Sequence, residues 1–167
     1  AHVPAAGLSP GDKLVLSGAV GDHGITLLAE REGFDIDGEL RSDVAPVNDA
    51  VAAALDAGTI TAMKDPTRGG LATALNEMAM KGDVGLVVDE PAVPVHDAVS
   101  AAGELLGIDP FDVANEGKVI FGVDAADADA VVDALQATSV GSDAAVIGEV
   151  TDDHAGRVVL DTGFGRR

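Results

Sequence analysis

The amino-acid sequence predicts one layered domain in which β-strands and α-helices alternate. Three observations support this prediction. The length of 167 residues suits one domain or two very small ones. A hydrophobic content of 47% is enough to bury a core, which must consist mainly of Ala, Val, Leu and Ile because the chain has no Tyr or Trp and only four Phe. Short strand-like runs are interleaved with amphipathic helical segments along the whole chain.

Six apolar runs are predicted strands and five amphipathic segments are predicted helices. In chain order the strands are KLVLSG, TITAMK, VGLVVD, KVIFGV, AAVIGEV and RVVLDT. The helices are HGITLLAERE, PVNDAVAAALDAG, a helix that begins within KDPTRGGLATALNEMA, HDAVSAAGELLG and AADADAVVDALQA. Gly58 follows one of these helices and is expected to be its C′ residue, and Gly107 is expected to stop another. Residues 1–10 are predicted to form a linker or arm, and residues 11–167 the domain.

The charge excludes several classes of function. Asp and Glu number 29 against 10 Lys and Arg, which gives a formal net charge of −19 at pH 7. There is no basic stripe to bind nucleic acid, and anionic lipids would repel the chain, so we expect neither DNA binding nor membrane-surface binding. Self-repulsion of this size destabilises a compact protein at low salt. An excess of Asp over Glu and few Lys favour a protein from a high-salt cytoplasm over an ordinary acidic protein.

Cysteine is absent, which rules out disulfides, zinc–thiolate sites and a cysteine nucleophile within this chain. No apolar run is long enough to span a bilayer, and the first residues lack the apolar stretch of a signal peptide. These features predict a cytoplasmic protein. The histidines show no metal-ligand spacing, so we predict no metal ligand in this chain.

The stretch KDPTRGGLATALNEMA is predicted to begin a helix, with Asp65 as its N-cap and Pro66 at the first helical position. Gly69 and Gly70 then fall in the first turn, where each costs about 1 kcal/mol relative to Ala. Glycines would let an anion reach the unpaired N–H groups of a helix N-terminus, beside the guanidinium of Arg68. Tight packing of this turn explains the glycines equally well. Gly70→Ala is expected to stabilise the helix, because Ala favours a helix interior over Gly.

Two further stretches carry polar residues at turns. SGAVGDHGI leaves a strand and enters a helix, and its Asp22 and His23 could line a ligand cleft. Capping by Asp22, with His23 in water, explains this stretch better when it is judged alone. In DVANEGKVIF, Asn115 and Glu116 precede a strand and could orient an amide or abstract a proton. An ordinary turn is again the simpler explanation of this stretch alone.

Taken together, these three stretches, in this order and at these separations, resemble one family. The chain is similar to the C-terminal half of HypE, a hydrogenase maturation protein of the AIR synthase (PurM-like) superfamily, from about Gly11 to Arg167. The resemblance implies an α+β fold with a mixed sheet layered with helices and a partial ferredoxin-like topology. It also implies a carbamoyl dehydratase, in which ATP phosphorylates the amide oxygen of a thiocarboxamide on a C-terminal cysteine. Loss of phosphate leaves a thiocyanate, which supplies cyanide for [NiFe] hydrogenase.

The resemblance also implies roles for individual residues. Glu116 would be the general base for the thiocarboxamide nitrogen, and Asn115 would hold the amide. The residues expected to line the ATP cleft are Asp22, His23, Asp65, Arg68, Gly69 and Gly70. ATP and Mg²⁺ would be bound mainly by an N-terminal domain that this sequence does not contain. The implied partners are the carbamoyltransferase HypF, the HypC–HypD complex and a second copy in a homodimer.

The sequence departs from the family in two respects. It ends at GFGRR, without the family's cysteine tail, and it lacks the N-terminal domain. We therefore expect this polypeptide alone to be inactive as a domain fragment. Two alternatives stay open: a HypE-like ATP-dependent enzyme with another substrate, and a non-catalytic docking module for maturation partners.

Overall fold

A computed structural model of the protein describes residues 7–18, 48–64, 70–107, 118–138 and 141–162. The strands in these ranges are β1 (Lys13–Leu16), β2 (Ile60–Lys64), β3 (Gly85–Asp89), β4 (Ile120–Val123), β5 (Ala145–Thr151) and β6 (Val158–Asp161). The α-helices are α1 (Asn48–Ala57), α2 (Gly70–Gly82), α3 (Asp97–Leu106) and α4 (Ala128–Gln136). All six predicted strands are therefore confirmed. Four of the five predicted helices are also confirmed, and HGITLLAERE lies outside the described residues.

The six strands form one mixed sheet in the order β2-β4-β1-β5-β3-β6. Neighbouring strands are antiparallel except β3 and β6, which run parallel. β4 lies between β1 and β2, although it follows both of them by more than fifty residues in the chain. Together with the helices, this sheet confirms the predicted α+β class.

Apolar side chains fill both faces of the sheet, because alternate residues of a strand point to opposite sides. In β1, Leu14 and Leu16 contribute to one core cluster and Val15 to the other. Helix α2 packs on the first face through Leu71, Leu75 and Met78, among others. On the second face, α1 and α4 cover β1 and β4 with small and branched residues such as Ala54 and Val131. The sheet thus lies between two helical layers.

Gly58 and Gly107 end their helices for different physical reasons. Gly107 directly follows α3, which confirms that it stops this helix, and its φ of +71° is the left-handed conformation that glycine favours there. Gly58 directly follows α1, where the sequence places the end of that helix, but it is not among the described glycines with positive φ. A Cβ at Gly58 would lie 2.6 Å from the Cβ of Asp127. Gly58 therefore allows close approach of α1 to the turn before α4, where the Asp127 carboxylate accepts the Thr59 N–H at 2.9 Å.

The chain enters β1 through a tight turn that is fastened to the sheet. Asp12 is 7% exposed, and its Oδ2 accepts hydrogen bonds from the Ser9 N–H at 2.9 Å and from Thr61 Oγ1 at 2.8 Å. Leu8 is 6% exposed and belongs to the α2-side core. This turn packs against β4, since a Cβ at Gly122 would collide with Leu8. The segment before β1 is therefore part of the packed structure from Leu8 onward.

No helix among these described ranges is long and apolar enough to cross a membrane.

Candidate functional site

The three stretches singled out in the sequence adjoin one end of the sheet. β1 ends where SGAVGDHGI begins, β2 ends where KDPTRGG begins, and β4 begins where DVANEGKV ends. In the strand register, Leu16 of β1 and Lys64 of β2 both lie opposite Ile120, the first residue of β4. The ends of β1 and β2 and the start of β4 therefore lie side by side, and each of them adjoins one of the three stretches.

A buried hydrogen-bond pair holds the first and third stretches together. The Ser17 N–H donates to the Val119 carbonyl at 3.0 Å, and the Val119 N–H donates to Ser17 Oγ at 2.9 Å. Ser17 is 2% exposed and Val119 3% exposed. Because a buried polar group without a partner is costly, this reciprocal pair firmly fixes the exit of β1 beside the entrance of β4.

Gly70 begins helix α2 with a backbone conformation that L-residues with side chains rarely adopt. Its φ is +75°, and it is buried. A residue with that φ cannot lie inside a right-handed helix, so Gly70 marks the start of α2 rather than its interior. The expectation that Gly70→Ala stabilises the helix is therefore wrong, because Ala would be strained at this position. The positive φ is therefore one reason for a glycine at position 70, and the predicted role of admitting an anion is another.

An ion pair links the end of β2 to α2 across the loop between them. Lys64 Nζ lies 2.7 Å from Glu77 Oε2, with side-chain exposures of 22% and 45%. The hydrogen bond and the positive charge of Lys64 lower the pKa of Glu77 below its ordinary value of 4.5. Residues 65–69 connect β2 to α2, and this ion pair is a direct contact between those two elements.

Most of the predicted site residues lie outside the described part of the chain. They are Asp22, His23, Asp65, Arg68, Gly69, Asn115 and Glu116. Gly70 is described, and its structure is given above. The structure therefore brings together the chain segments that flank these residues, and the roles of the residues themselves stay predictions.

Sequence reasoning missed two buried polar residues at this end of the sheet, Ser17 and Lys118. Lys118 is only 5% exposed, which is rare for lysine in a folded protein. Ser17 directly follows β1, and Lys118 lies two positions before the first residue of β4. Both residues adjoin apolar strands, and this closeness to a strand was the one sign in the sequence that they are buried.

An open depression of about 370 Å³ lies elsewhere on the sheet. It is lined by Lys13 and Glu149, which pair at 3.3 Å, and by Val87, Asp89 and Asp161. Lys13 begins β1, so this depression is at the end of that strand opposite to the three stretches. Among residues that the structure describes, no group of three or more His, Asp or Glu side chains could hold a metal ion.

Comparison with known proteins identifies the family. Residues 9–161 match the family described as AIR synthase related protein, C-terminal domain. The carbamoyl dehydratase HypE of Cupriavidus necator is 47% identical over 164 residues, which cover 98% of this chain and 47% of that protein.

Two solved structures show the same fold over nearly the whole chain. The hydrogenase maturation protein HypE in complex with ATP superposes with a TM-score of 0.94 at 39% identity, covering 99% of this chain and 52% of that chain. A HypE–HypF complex gives a TM-score of 0.92 at 36% identity, covering 99% and 54%.

The chain spans about half the length of these relatives. The matched family, the identity to HypE and the shared fold agree with one another. The chain therefore belongs to the AIR synthase related family as a C-terminal domain, similar in sequence and structure to that of HypE.

Proposed function

We propose that this chain is the C-terminal domain of an ATP-dependent carbamoyl dehydratase that converts a C-terminal cysteine thiocarboxamide to a thiocyanate for hydrogenase maturation. The observation that carries the proposal is the meeting of Leu16, Lys64 and Ile120 at one end of the sheet. In this register, the residues at which the three family stretches adjoin the sheet lie next to one another at the start of β4. An active site assembled from distant parts of a chain needs such a meeting point.

In the proposed site, the phosphate of ATP lies beside the start of α2. A helix N-terminus offers unpaired N–H groups and a partial positive charge, and α2 begins at a glycine without a Cβ. Arg68, two residues earlier, adds a planar guanidinium that suits phosphate oxygens. Gly69, Asp65, Asp22 and His23 are proposed to line the same cleft.

The chemical step is proposed to use the third stretch. ATP transfers its terminal phosphoryl group to the amide oxygen of the thiocarboxamide, which makes that oxygen a leaving group. The nitrogen loses its first proton to solvent as the oxygen is phosphorylated, which gives a phosphorylated imidate. Glu116 then accepts the second proton from the nitrogen as the phosphate departs, and Asn115 orients the amide. One nitrogen–carbon triple bond forms, one carbon–oxygen bond breaks, and the products are thiocyanate, ADP and phosphate.

ATP and Mg²⁺ are proposed to be bound mainly by the other half of a HypE-like protein. Magnesium would neutralise phosphate charge during the transfer. We assign it no ligand among the described residues of this chain. By itself, the 167-residue chain is therefore expected to have no dehydratase activity.

The HypE–HypF complex supports HypF as a proposed partner of the whole protein, because this chain aligns with the HypE fold over nearly all its length. The HypC–HypD complex and a second copy in a homodimer are further proposed partners. The finding that a HypE relative binds ATP favours the enzyme over the docking-module alternative.

We also propose that the protein works at high salt. Its formal net charge of −19 is spread over only 167 residues. Screening of this self-repulsion by salt would stabilise the folded state. The melting temperature should rise steadily as KCl is raised from about 0.1 to about 3 M, and a flat or falling profile would contradict the assignment.

The packed domain is proposed to begin at Leu8, three residues before the boundary predicted from sequence. The burial of Leu8 and the bonds of Asp12 to Ser9 and Thr61 support this start.

A two-domain protein tests the proposed activity. The chain would be joined to the N-terminal half of the Cupriavidus necator HypE and supplied with a peptide ending in a cysteine thiocarboxamide. We expect ATP-dependent loss of one water from the peptide, detected by mass spectrometry, and its abolition by Glu116→Gln. Lys13→Met, at the far end of β1, is the matched control and should retain activity. ATP hydrolysis without dehydration of the peptide would favour the alternative enzyme with another substrate.

A further inference from the structure

One hydrogen bond at the candidate site departs from the pattern of the sheet around it. Ser17 and Val119 extend the β1–β4 register by one position beyond Leu16 and Ile120, so these two residues lie opposite each other. In an antiparallel ladder, opposite residues whose backbone groups face each other exchange two bonds, each N–H donating to the other carbonyl. Between Ser17 and Val119 the structure has one such backbone bond, from the Ser17 N–H to the Val119 carbonyl at 3.0 Å.

The second bond of this pair goes to a side chain instead of the backbone. The Val119 N–H donates to Ser17 Oγ at 2.9 Å, where a regular ladder would use the Ser17 carbonyl. Serine hydroxyls compete with backbone acceptors because they are short and lie close to the main chain. Ser17 is 2% exposed and Val119 3% exposed, so water does not compete for this N–H. The hydroxyl therefore replaces the last backbone acceptor of the ladder.

This replacement coincides with the end of both strands. β1 ends at Leu16, β4 begins at Ile120, and the backbone bends at Ser17 and Gly18. Gly18 has no side chain to oppose either a bend or a longer ladder. The choice between the two backbone paths therefore depends on which acceptor the Val119 N–H takes.

A ladder that continued past this point would close the candidate site. Paired strands lie about 4.8 Å apart, which leaves no room for a ligand group between them. SGAVGDHGI begins with Ser17 and DVANEGKV ends with Val119, and both stretches are proposed to line the same site. A ligand can lie between them only if they separate where they leave the sheet. Ser17 lies at that point of separation.

We propose that Ser17 is a positioning residue whose hydroxyl ends the β1–β4 ladder and so keeps the two stretches apart for the substrate. The inference rests on the proposed function for what binds there, and on the two hydrogen bonds of Ser17 and Val119 for how the site stays open. In Ser17→Ala, the Val119 N–H takes the carbonyl of residue 17 as its acceptor. The ladder then gains one pair, and the site narrows.

The structural test is NMR measurement of scalar couplings across hydrogen bonds in the 167-residue chain, which needs neither ATP nor catalysis. In the original chain, a coupling should join the Ser17 nitrogen to the Val119 carbonyl carbon, and none should join the Val119 nitrogen to the Ser17 carbonyl carbon. Ser17→Ala should show both couplings, whereas Ser17→Thr, which keeps the hydroxyl, should show the first alone. Ser100→Ala, which removes the hydroxyl of an exposed serine on α3, should leave both positions as they are in the original chain.

Ser17→Cys keeps the proposal testable if Ser17→Ala fails to fold. A thiol is similar in size to a hydroxyl but is a weak acceptor, so the second coupling should appear in this variant too. Absence of the second coupling in the folded variants that lack the hydroxyl would overturn the proposal.

The functional test uses the two-domain protein, measured well below the melting temperature of each variant so that unfolding does not contribute. Ser17→Ala should lower the kcat of peptide dehydration about tenfold or more, with a smaller change in KM, because small misplacements of reacting groups cost much of the rate. Ser17→Thr and Ser100→Ala should retain the original kcat. An unchanged kcat in Ser17→Ala, with the second coupling present, would overturn the positioning role. Failure of the unsubstituted two-domain protein to dehydrate the peptide, with the couplings as expected, would instead count against the proposed function.

Discussion

Lys64 and Glu77 join the last residue of β2 to the second turn of α2, with 2.7 Å between Nζ and Oε2. The contact spans residues 65–69, which hold the Asp, Arg and first Gly of the proposed phosphate side. The ion pair links the strand and the helix that residues 65–69 connect. Its contribution can be measured, because the pKa of Glu77 is lowered mainly by this one lysine.

We expect Lys64→Met and Glu77→Gln each to lower the melting temperature slightly at pH 7, and their effects to be non-additive. The folded-state pKa of Glu77 lies below 4.5, so its ionised form stabilises the protein above that pH. This stabilisation is lost as the pH falls through the lowered pKa. Thermal unfolding of the double-mutant cycle at several pH values should therefore show a coupling that disappears in acid.

The matched control for this cycle is Lys81→Met, on the same helix. Lys81 also lowers the pKa of Glu77, but it is the smallest of the named causes. Its removal should change the coupling between Lys64 and Glu77 little. A coupling that persists unchanged at acid pH would mean that packing, and not charge, joins the two side chains.

Gly70→Ala should destabilise the protein by about 1–2 kcal/mol, because a Cβ at a φ of +75° is strained. Gly107→Ala calibrates this cost. Gly107 has a φ of +71°, and a Cβ there would have no atom within 4 Å, so its substitution measures backbone strain alone. Chemical denaturation should give a loss at Gly70 at least as large as that at Gly107. A more stable Gly70→Ala variant would contradict the structure.

Asp12→Ala should cost about 2–3 kcal/mol, because it removes the acceptor for Ser9 and for Thr61 Oγ1. Asp12→Asn keeps one side-chain oxygen and should cost less. Thr61→Val should cost about 1–2 kcal/mol, since it leaves the buried carboxylate with one donor fewer. Urea denaturation of the three variants measures these losses in the free energy of unfolding. If Asp12→Asn and Asp12→Ala lose equal amounts, the hydrogen bonds of Asp12 are not the cause of the loss.

Gly58→Ala should destabilise the protein by about 1–3 kcal/mol through overpacking, because its Cβ would lie 2.6 Å from that of Asp127 and 3.0 Å from Val131 Cγ2. The same substitution in an Asp127→Gly background should cost less, since the closest atom is then absent. The loss of stability is measured by thermal unfolding. If Gly58→Ala destabilises both backgrounds equally, the contact with Asp127 is not the cause of the destabilisation.

The elements of this fold could be predicted from the sequence because their causes are local. The run KLVLSG alternates its apolar side chains between two faces, and Gly107 ends α3 through its own freedom to adopt a positive φ. Such features depend on a few neighbouring residues. Gly58 shows the limit of local reasoning: it also follows a helix, but a contact with Asp127, far along the chain, requires it.

The candidate site could be predicted only as three separate stretches. Each had an ordinary explanation as a cap or a turn, and family resemblance was needed to connect them. Lys118 was missed because a lysine beside a strand is usually solvated. Its burial depends on β4 being enclosed by β1 and β2, which no pattern within GKVIFGV specifies.

By itself the sequence determined the order and type of the elements, the acidic surface and the three stretches that identify the family. The tertiary structure alone decided that Leu16, Lys64 and Ile120 meet, that Gly70 starts α2 with positive φ, and that Lys118 is buried. The physical reason is the range of the interactions involved. Periodicity and capping arise between near neighbours, whereas strand order and burial come from contacts between residues that only folding brings together.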